Sequence, residues 1–229
     1  MKKLVSLVMV FAMCACLLAG CGSSSSAPAA TDAPAASDSS ADTAASAGTF
    51  KFGGVGPLTG AAAIYGQAVK NGGQIAVDEI NAAGGINGAL IEYKFEDDVN
   101  DGETSVNAYN NLYDWGMQVL AGPVTTGPSI SVAAKVNEDR VFMLTPSASS
   151  PDVTADKDNV FQMCFTDPNQ GTGSATYIAS NMPESKIAII YQNDDAYSQG
   201  IRDTFVTEGS AKGLEVVYEG TFTKDTMTD

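Results

Sequence analysis

The sequence predicts an α/β fold in which parallel sheets carry helices on both faces. From Thr49 onward, short apolar runs alternate with longer stretches of helical periodicity, and residues 141–144 are apolar at every position. Such alternation is typical of parallel sheets, and a strand covered on both faces needs apolar side chains on both. The predicted strands are 50–55, 90–96, 118–121, 141–144, 160–165, 186–191 and 214–220.

The predicted helices fill the intervals between these strands. In the first helix, Ile64, Ile75 and Ile80 recur at helical spacing, and Gly84 and Gly85 follow as stop signals. We expect the strands at 50–55, 90–96, 118–121 and 141–144 to share one sheet, and those at 186–191 and 214–220 to form a second. The predicted helices are 62–81, 103–115, 129–138, 172–181 and 196–209.

The first 20 residues are predicted to be a signal peptide. Lys2 and Lys3 precede an apolar run over residues 4–18, which is of signal-peptide length and too short to span a bilayer comfortably. The run ends in Leu-Ala-Gly-Cys at 18–21, which resembles a bacterial lipobox, so we expect Cys21 to carry a lipid. The alternative is an ordinary cleaved signal followed by a coincidental cysteine.

Residues 21–48 are predicted to be the lipidated cysteine and a disordered tether. After Cys21 they are almost wholly Ser, Ala, Thr, Asp, Pro and Gly, so they cannot offset the entropy of ordering. One cysteine, Cys164, remains in the globular part, and one thiol cannot form an internal disulfide. Its apolar neighbours predict a small buried side chain.

Composition argues against several classes of function. The formal net charge is −15, and no basic patch with interleaved aromatic residues occurs, so we expect no nucleic-acid partner. The chain contains no histidine, which removes Ser-His-Asp and Cys-His catalysis and every histidine-based metal site. Asp97 and Asp98 form a carboxylate pair, but at a strand end they more often accept bonds from loop amides. We therefore predict no enzyme and no metal.

No cofactor motif is complete. The chain has no P-loop motif. Gly54 and Gly56 follow the first strand in the manner of a dinucleotide fingerprint, but the next glycine, Gly60, comes one place late and Pro57 intervenes. We expect no cofactor.

The loops that follow the strands are suited to binding. Ligands collect outside the carboxyl ends of parallel strands. Thr125, Ser147 and Ser149 lie there beside helix starts, where free N–H groups favour an anion such as a carboxylate, although each could instead be an N-cap. Tyr65 and Tyr197 also follow strand ends and could either wall a pocket or pack in the core.

Several of these segments together resemble the leucine/isoleucine/valine-binding protein family. The segments are Gly-Pro-Leu-Thr-Gly at 56–60, the stretch 76–88 with its Asp-Glu-Ile-Asn and Gly-Gly-Ile-Asn-Gly, 97–98, 122–123, 145–151 and 197–200. This family comprises the type I periplasmic binding proteins that serve branched-chain amino acid ABC transporters. The resemblance covers essentially all of residues 49–229.

The resemblance implies two lobes, each a parallel sheet with helices on both faces. Residues 49–166 would form the N-terminal lobe and residues 167–229 part of a second lobe, with a hinge near 165–168. The family continues well past Asp229, so we expect the chain to be C-terminally truncated. The acidic residue that pairs the ligand's ammonium would then lie beyond Asp229, and ligand binding by these residues alone should be weak.

The resemblance also implies roles for particular residues. Thr125 and Ser149 match hydroxyl residues that hold the ligand's α-carboxylate with side chain and backbone N–H, and Ser147 matches a residue whose carbonyl receives the α-ammonium. The remaining implied contacts are Tyr65 at the pocket mouth, Val124 on the ligand side chain and Tyr197 on the opposing lobe. Enteric members of the family have a disulfide in the first lobe, which is absent here because its positions are Asn100 and Val124.

The implied function is transport. A small amino acid, branched-chain or neutral aliphatic, would be captured outside the membrane by a lipid-anchored, monomeric full-length protein and passed to an ABC transporter permease. The alternative is a sensor of the same fold that binds an amide, urea or an aromatic acid.

Overall fold

The computed structural model describes residues 48–226. The predicted signal peptide, Cys21 and the tether up to residue 47 lie outside the described residues. The strands are β1 Thr49–Gly56, β2 Leu90–Asp97, β3 Val119–Ala121, β4 Phe142–Thr145, β5 Val160–Gln162, β6 Lys186–Gln192 and β7 Glu215–Phe222. The helices are α1 Ala63–Ala82, α2 Gly102–Asp114, α3 Thr126–Asp139, α4 Asp167–Asn181 and α5 Ala196–Ala211.

The strands form two separate parallel sheets. The first has the order β2-β1-β3-β4-β5 and the second pairs β6 with β7. We call the first sheet with α1, α2 and α3 the first lobe, and the second sheet with α4 and α5 the second lobe. The predicted α/β class and the predicted division of strands between two sheets are confirmed. Because the strands of the first sheet are parallel, the loops at their carboxyl ends meet along one edge.

The core of the first lobe lies between its sheet and helices α2 and α3. Leu112 of α2 and Val132 of α3 pack with Val55, Leu120 and Met143 of the strands, and all five are essentially inaccessible to solvent. Full burial of such side chains contributes about 1.5–3 kcal/mol each before entropy is counted. This core fixes the strand ends from which the loops of the site extend.

Helix α1 covers the other face of the first sheet. A Cβ at Gly54 would lie 2.3 Å from the Phe95 ring, and one at Gly73 of α1 would lie 2.6 Å from Tyr93 Oη, so glycine permits both close approaches. However, Ile64 and Ile75 are exposed. The periodicity that predicts α1 therefore locates the helix without identifying its packed face.

The second lobe is held by close packing of α4 against α5. Phe205 of α5 packs with Ala175 of α4 and with Leu214, which precedes β7. At Gly171 an added Cβ would lie 2.7 Å from the Ile201 carbonyl oxygen, so the two helices approach backbone to backbone. Among residues 48–226, no helix is both long and apolar enough to cross a membrane.

Three boundaries differ from the sequence prediction by three residues or more. Helices α3 and α4 start before the predicted residues 129 and 172, because Pro128 and Pro168 lie in their first turns, where proline is tolerated. Strand β5 ends at Gln162 instead of residue 165. The chain then leaves the first sheet and enters α4 at Asp167.

The prediction of a buried side chain at Cys164 is wrong. Cys164 follows the end of β5, lies outside the sheet and is only partly covered.

Candidate ligand-binding cleft

A cavity of about 390 Å³ lies at the carboxyl edge of the first sheet and faces the start of α5. The predicted convergence of the candidate residues is confirmed, because every one of them within the described residues lines this cavity. They are Tyr65, Val124, Thr125, Ser147, Ser149 and Tyr197. Asn100, Cys164, Gln170, Gln192 and Asp195 are among the other lining residues. That these residues bind a ligand stays a prediction.

The loop before α3 is fixed by a buried carbonyl group. The Pro123 carbonyl oxygen accepts hydrogen bonds from Ser129 Oγ at 2.8 Å and from Thr145 Oγ1 at 2.6 Å. These two bonds tie the loop to α3 and to the end of β4. Val124 and Thr125 follow directly, so their positions at the cavity wall are set by buried contacts and not by the cavity itself.

Thr125 occupies the N-cap position of α3, but its side chain makes no capping bond. Its Oγ1 is buried and has no hydrogen-bond partner among the described residues. The structure therefore does not show the Thr125 side chain capping α3. A buried hydroxyl without a partner is costly, and the adjacent helix N-terminus favours an anion. Together they form a suitable place for a carboxylate.

Ser149 lies beside Thr125, but its donors are already used. Its backbone N–H donates to Thr126 Oγ1 at 3.3 Å, and its Oγ donates to Asp167 Oδ1 at 2.5 Å. The resemblance implies that both donors hold a ligand carboxylate, and in this structure neither is free to do so. Ser149 instead joins the first lobe to the first residue of α4.

Ser147 also lines the cavity, and the role of its carbonyl that the resemblance implies stays a prediction. Its side chain is exposed, while its carbonyl oxygen accepts a hydrogen bond from Cys164 Sγ at 3.0 Å. Burial raises the pKa of the Cys164 thiol, which therefore stays protonated and can donate. A carbonyl oxygen has two lone pairs, so the Ser147 carbonyl can accept a further bond from a ligand ammonium.

Two tyrosines face solvent at the cavity. Tyr65 is 60% exposed in the first turn of α1, and Tyr197 is 40% exposed in the first turn of α5. Neither is a core residue, so the packing alternative is excluded for both. The start of α5 is fixed by Asp195, whose Oδ2 accepts bonds from Ser198 N at 3.0 Å and Ser198 Oγ at 2.9 Å.

The charges around the cavity suit a neutral or zwitterionic ligand. No lysine or arginine is among its lining residues, and Asp195 is the one acidic residue there. Asp97 accepts bonds from Leu58 N and Thr59 Oγ1, both at 2.7 Å, so it holds a loop as the sequence indicated. Within residues 48–226 no cluster of three acidic or cysteine side chains could hold a metal ion.

Residues 49–229 match the family model described as periplasmic binding protein. The chain belongs to this family.

Two curated relatives show what the chain is similar to. Leu/Ile/Val-binding protein homolog 3 of Brucella melitensis is 37% identical over 157 residues, which is 68% of this chain and 42% of the relative. Leu/Ile/Val-binding protein BraC3 of Rhizobium johnstonii is 37% identical over 162 residues, 70% of this chain and 44% of the relative. The chain thus spans less than half the length of these relatives.

Solved structures of the family show the same fold. The branched-chain amino acid transporter substrate-binding protein LivJ from Streptococcus pneumoniae, solved with isoleucine, matches with a TM-score of 0.71 and 31% identity over 77% of this chain and 50% of that chain. The leucine-binding protein LivK from Thermotoga maritima matches with a TM-score of 0.71 and 25% identity over 76% of this chain and 49% of that chain.

One residue of this periplasmic binding protein that sequence reasoning missed is Asp167. It is fully buried, accepts the Ser149 hydroxyl with one oxygen, and has no partner for Oδ2 among the described residues. Burial raises its pKa, although the bond from Ser149 opposes the shift. In the sequence, an acidic residue directly before Pro168 at a helix start is only a weak indication of a functional residue. The contact with Ser149 shows that Asp167 lies where the two lobes meet.

Proposed function

We propose that this periplasmic binding protein captures a small α-amino acid, branched-chain or neutral aliphatic, and delivers it to an ABC transporter permease. The observation that carries the proposal is Thr125 Oγ1 at the N-terminus of α3, a buried hydroxyl that has no partner within residues 48–226, in a cavity whose lining residues include no basic side chain. A ligand carboxylate would supply the missing partner. The isoleucine bound to the LivJ relative supports this ligand class.

The remaining groups suit the rest of such a ligand. The Ser147 carbonyl would accept a bond from the α-ammonium, and the carboxylate of Asp195, which also lines the cavity, would add negative potential nearby. Val124 is an apolar, fully buried residue at the same wall, and we propose that it lies behind the ligand's aliphatic side chain. The chain contains no histidine that could act as a base, so binding without chemical conversion is the function that fits.

The location we propose is the outer face of the cell membrane. Cys21 would carry the lipid, and residues 22–48 would give the binding lobes reach from the membrane surface to the permease. We expect the protein to act as a monomer and to use neither a cofactor nor a nucleic-acid partner.

The test is calorimetry of the 229-residue chain with ligands that differ by one charged group. We expect L-isoleucine, L-leucine and L-valine to bind, with millimolar concentrations included in the titrations. L-leucinamide, which lacks the carboxylate, should bind at least tenfold more weakly than L-leucine. Equal binding of L-leucine and L-leucinamide, or binding of 4-hydroxybenzoate or urea in their place, would contradict the proposal.

A further inference from the structure

Lys224 connects the two lobes at one end of the cavity. It begins the short helical turn Lys224–Thr226 that follows β7 of the second lobe. Its Nζ donates a hydrogen bond at 3.3 Å to the carbonyl oxygen of Asn100, which follows β2 in the first lobe. Asn100 itself lines the cavity, so this contact joins the second lobe to a residue of the cavity wall.

The backbone of Lys224 is fixed to the second lobe. Its N–H donates to both carboxylate oxygens of Asp194, at 3.2 and 3.1 Å. Asp194 Oδ1 also accepts a bond from Gln192 Nε2 at 2.9 Å, and Gln192 lines the cavity. The side chain therefore reaches the first lobe from a base that is held in place, which reduces the entropy lost when the contact forms.

The acceptor in the first lobe is also held in place. Val99 and Asn100 have φ angles of 48° and 57°, in the left-handed region that few non-glycine residues adopt. Their N–H groups donate to Asp97 Oδ1 and Asp98 Oδ1, both at 2.9 Å. The position of the Asn100 carbonyl is therefore fixed by bonds within the first lobe and does not depend on Lys224.

Acidic residues lie in both turns that the Lys224 contact connects. The first-lobe turn carries Asp97, Asp98 and Asp101, and the second-lobe turn beside Lys224 carries Asp194 and Asp195. The pKa of Asp101 lies below its ordinary value, chiefly because of hydrogen bonds from Thr104 and also because of the charge of Lys224.

The second-lobe turn shows the same influence. The pKa of Asp194 is lowered chiefly by the N–H of Lys224 and also by its charge. The cation therefore acts on acidic groups of both lobes.

We propose that Lys224 is a positioning residue that holds the two lobes together at the cavity wall by bridging these acidic turns. It does not contact the proposed ligand. It stabilises the arrangement in which Thr125 and Tyr197 face one cavity, and so slows release of the ligand. The effect on release rests on the proposed function, whereas the link between the lobes does not.

The first measurement needs no ligand. Small-angle X-ray scattering of the 229-residue chain should show a larger radius of gyration for Lys224→Gln than for the wild type, and a still larger one for Lys224→Glu. Lys224→Arg should match the wild type because it keeps the charge and the reach. Lys212→Gln is the matched control, since Lys212 at the C-terminal end of α5 pairs with Glu208 of the same helix.

The second measurement uses L-isoleucine as the probe. We expect affinity to fall about 2- to 5-fold in Lys224→Gln, which loses the bond to the Asn100 carbonyl and the positive charge, and about 10-fold in Lys224→Glu, mainly through faster dissociation. The difference between Lys224→Gln and wild type should shrink in 0.5 M salt, which screens exposed charges. Lys224→Arg and Lys212→Gln should bind as the wild type does.

The two measurements separate the possible failures. An unchanged radius of gyration in both Lys224→Gln and Lys224→Glu overturns the lobe link, whatever binds. If no variant and no wild-type chain binds L-isoleucine while the scattering changes as expected, the proposed ligand is wrong and the link stands. An equal loss of affinity in Lys224→Arg and Lys224→Glu would contradict the role of charge.

Discussion

Adjacent threonines at the start of α3 predict opposite effects of the same substitution. Thr125 Oγ1 is buried without a partner among the described residues, whereas Thr126 Oγ1 accepts the Ser149 N–H at 3.3 Å. Valine has nearly the shape of threonine but no hydroxyl. Thr125→Val therefore removes an unsatisfied group, and Thr126→Val creates one.

The magnitudes follow from the cost of a buried polar group without a partner, about 1–3 kcal/mol. Thr125→Val should stabilise the ligand-free chain by about 1 kcal/mol, and Thr126→Val should destabilise it by about 1–3 kcal/mol. When ligand is present, Thr125→Val should instead be unfavourable, because the valine cannot bond to the ligand carboxylate. Loss of a hydrogen bond to a carboxylate, about 1.5–3 kcal/mol, should weaken L-isoleucine binding by roughly 10- to 150-fold.

Urea unfolding with and without L-isoleucine measures both effects on the same samples. We expect Thr125→Val to raise the urea midpoint of unfolding of the ligand-free chain. L-isoleucine should raise the midpoint of the wild type further, but should not raise that of Thr125→Val. If Thr125→Val lowers the ligand-free midpoint as much as Thr126→Val does, then Thr125 Oγ1 has a partner within the protein and is not the carboxylate site.

Three further predictions concern stability and anchoring. Burial raises the pKa of Asp98 from 3.8 to about 6, so its folded form binds a proton more tightly, and stability from this group is lost as pH rises through about 6. In urea unfolding, Asp98→Asn should be up to about 3 kcal/mol more stable than wild type at pH 7 but less than about 1 kcal/mol more stable at pH 4. A difference in stability that is the same at both pH values would refute the raised pKa. Gly66→Ala should unfold at least about 2 kcal/mol more easily, because its Cβ would lie 1.9 Å from the Pro57 carbonyl oxygen. Gly72 lies on the same helix with open space around it, so Gly72→Ala should raise the free energy of unfolding by about 0.5–1 kcal/mol. Equal effects of the two substitutions would contradict the close contact of Gly66 with Pro57. In cell fractionation, Cys21→Ser should leave the membrane fraction or remain an uncleaved precursor, and normal processing with membrane retention would exclude the lipid anchor.

The sequence predicts the walls of the cavity but not its internal bonds. Thr125 and Ser149 can be placed together because parallel strands end at one edge of a sheet, whatever their separation along the chain. The bond from Ser149 to Asp167 depends on how the two lobes meet, and so does the contact of Lys224 with Asn100, which are 124 positions apart. No local pattern reports such contacts.

The start of α4 differs from its predicted position for a local reason. Pro168 reads as a break in the sequence, yet it lies in the first turn of α4, where its missing N–H has no role. Likewise the periodicity of Ile64 and Ile75 predicts α1 correctly but not that both side chains are exposed. Packing against other elements decides burial, and periodicity alone does not contain that information.

A crystal structure of the 229-residue chain with L-isoleucine would show directly where the ligand binds. We expect the isoleucine carboxylate within hydrogen-bond distance of Thr125 Oγ1 and of the N–H groups at the start of α3, with the ammonium on the Ser147 carbonyl. An isoleucine whose carboxylate points away from α3, or one bound outside this cavity, would contradict this expectation.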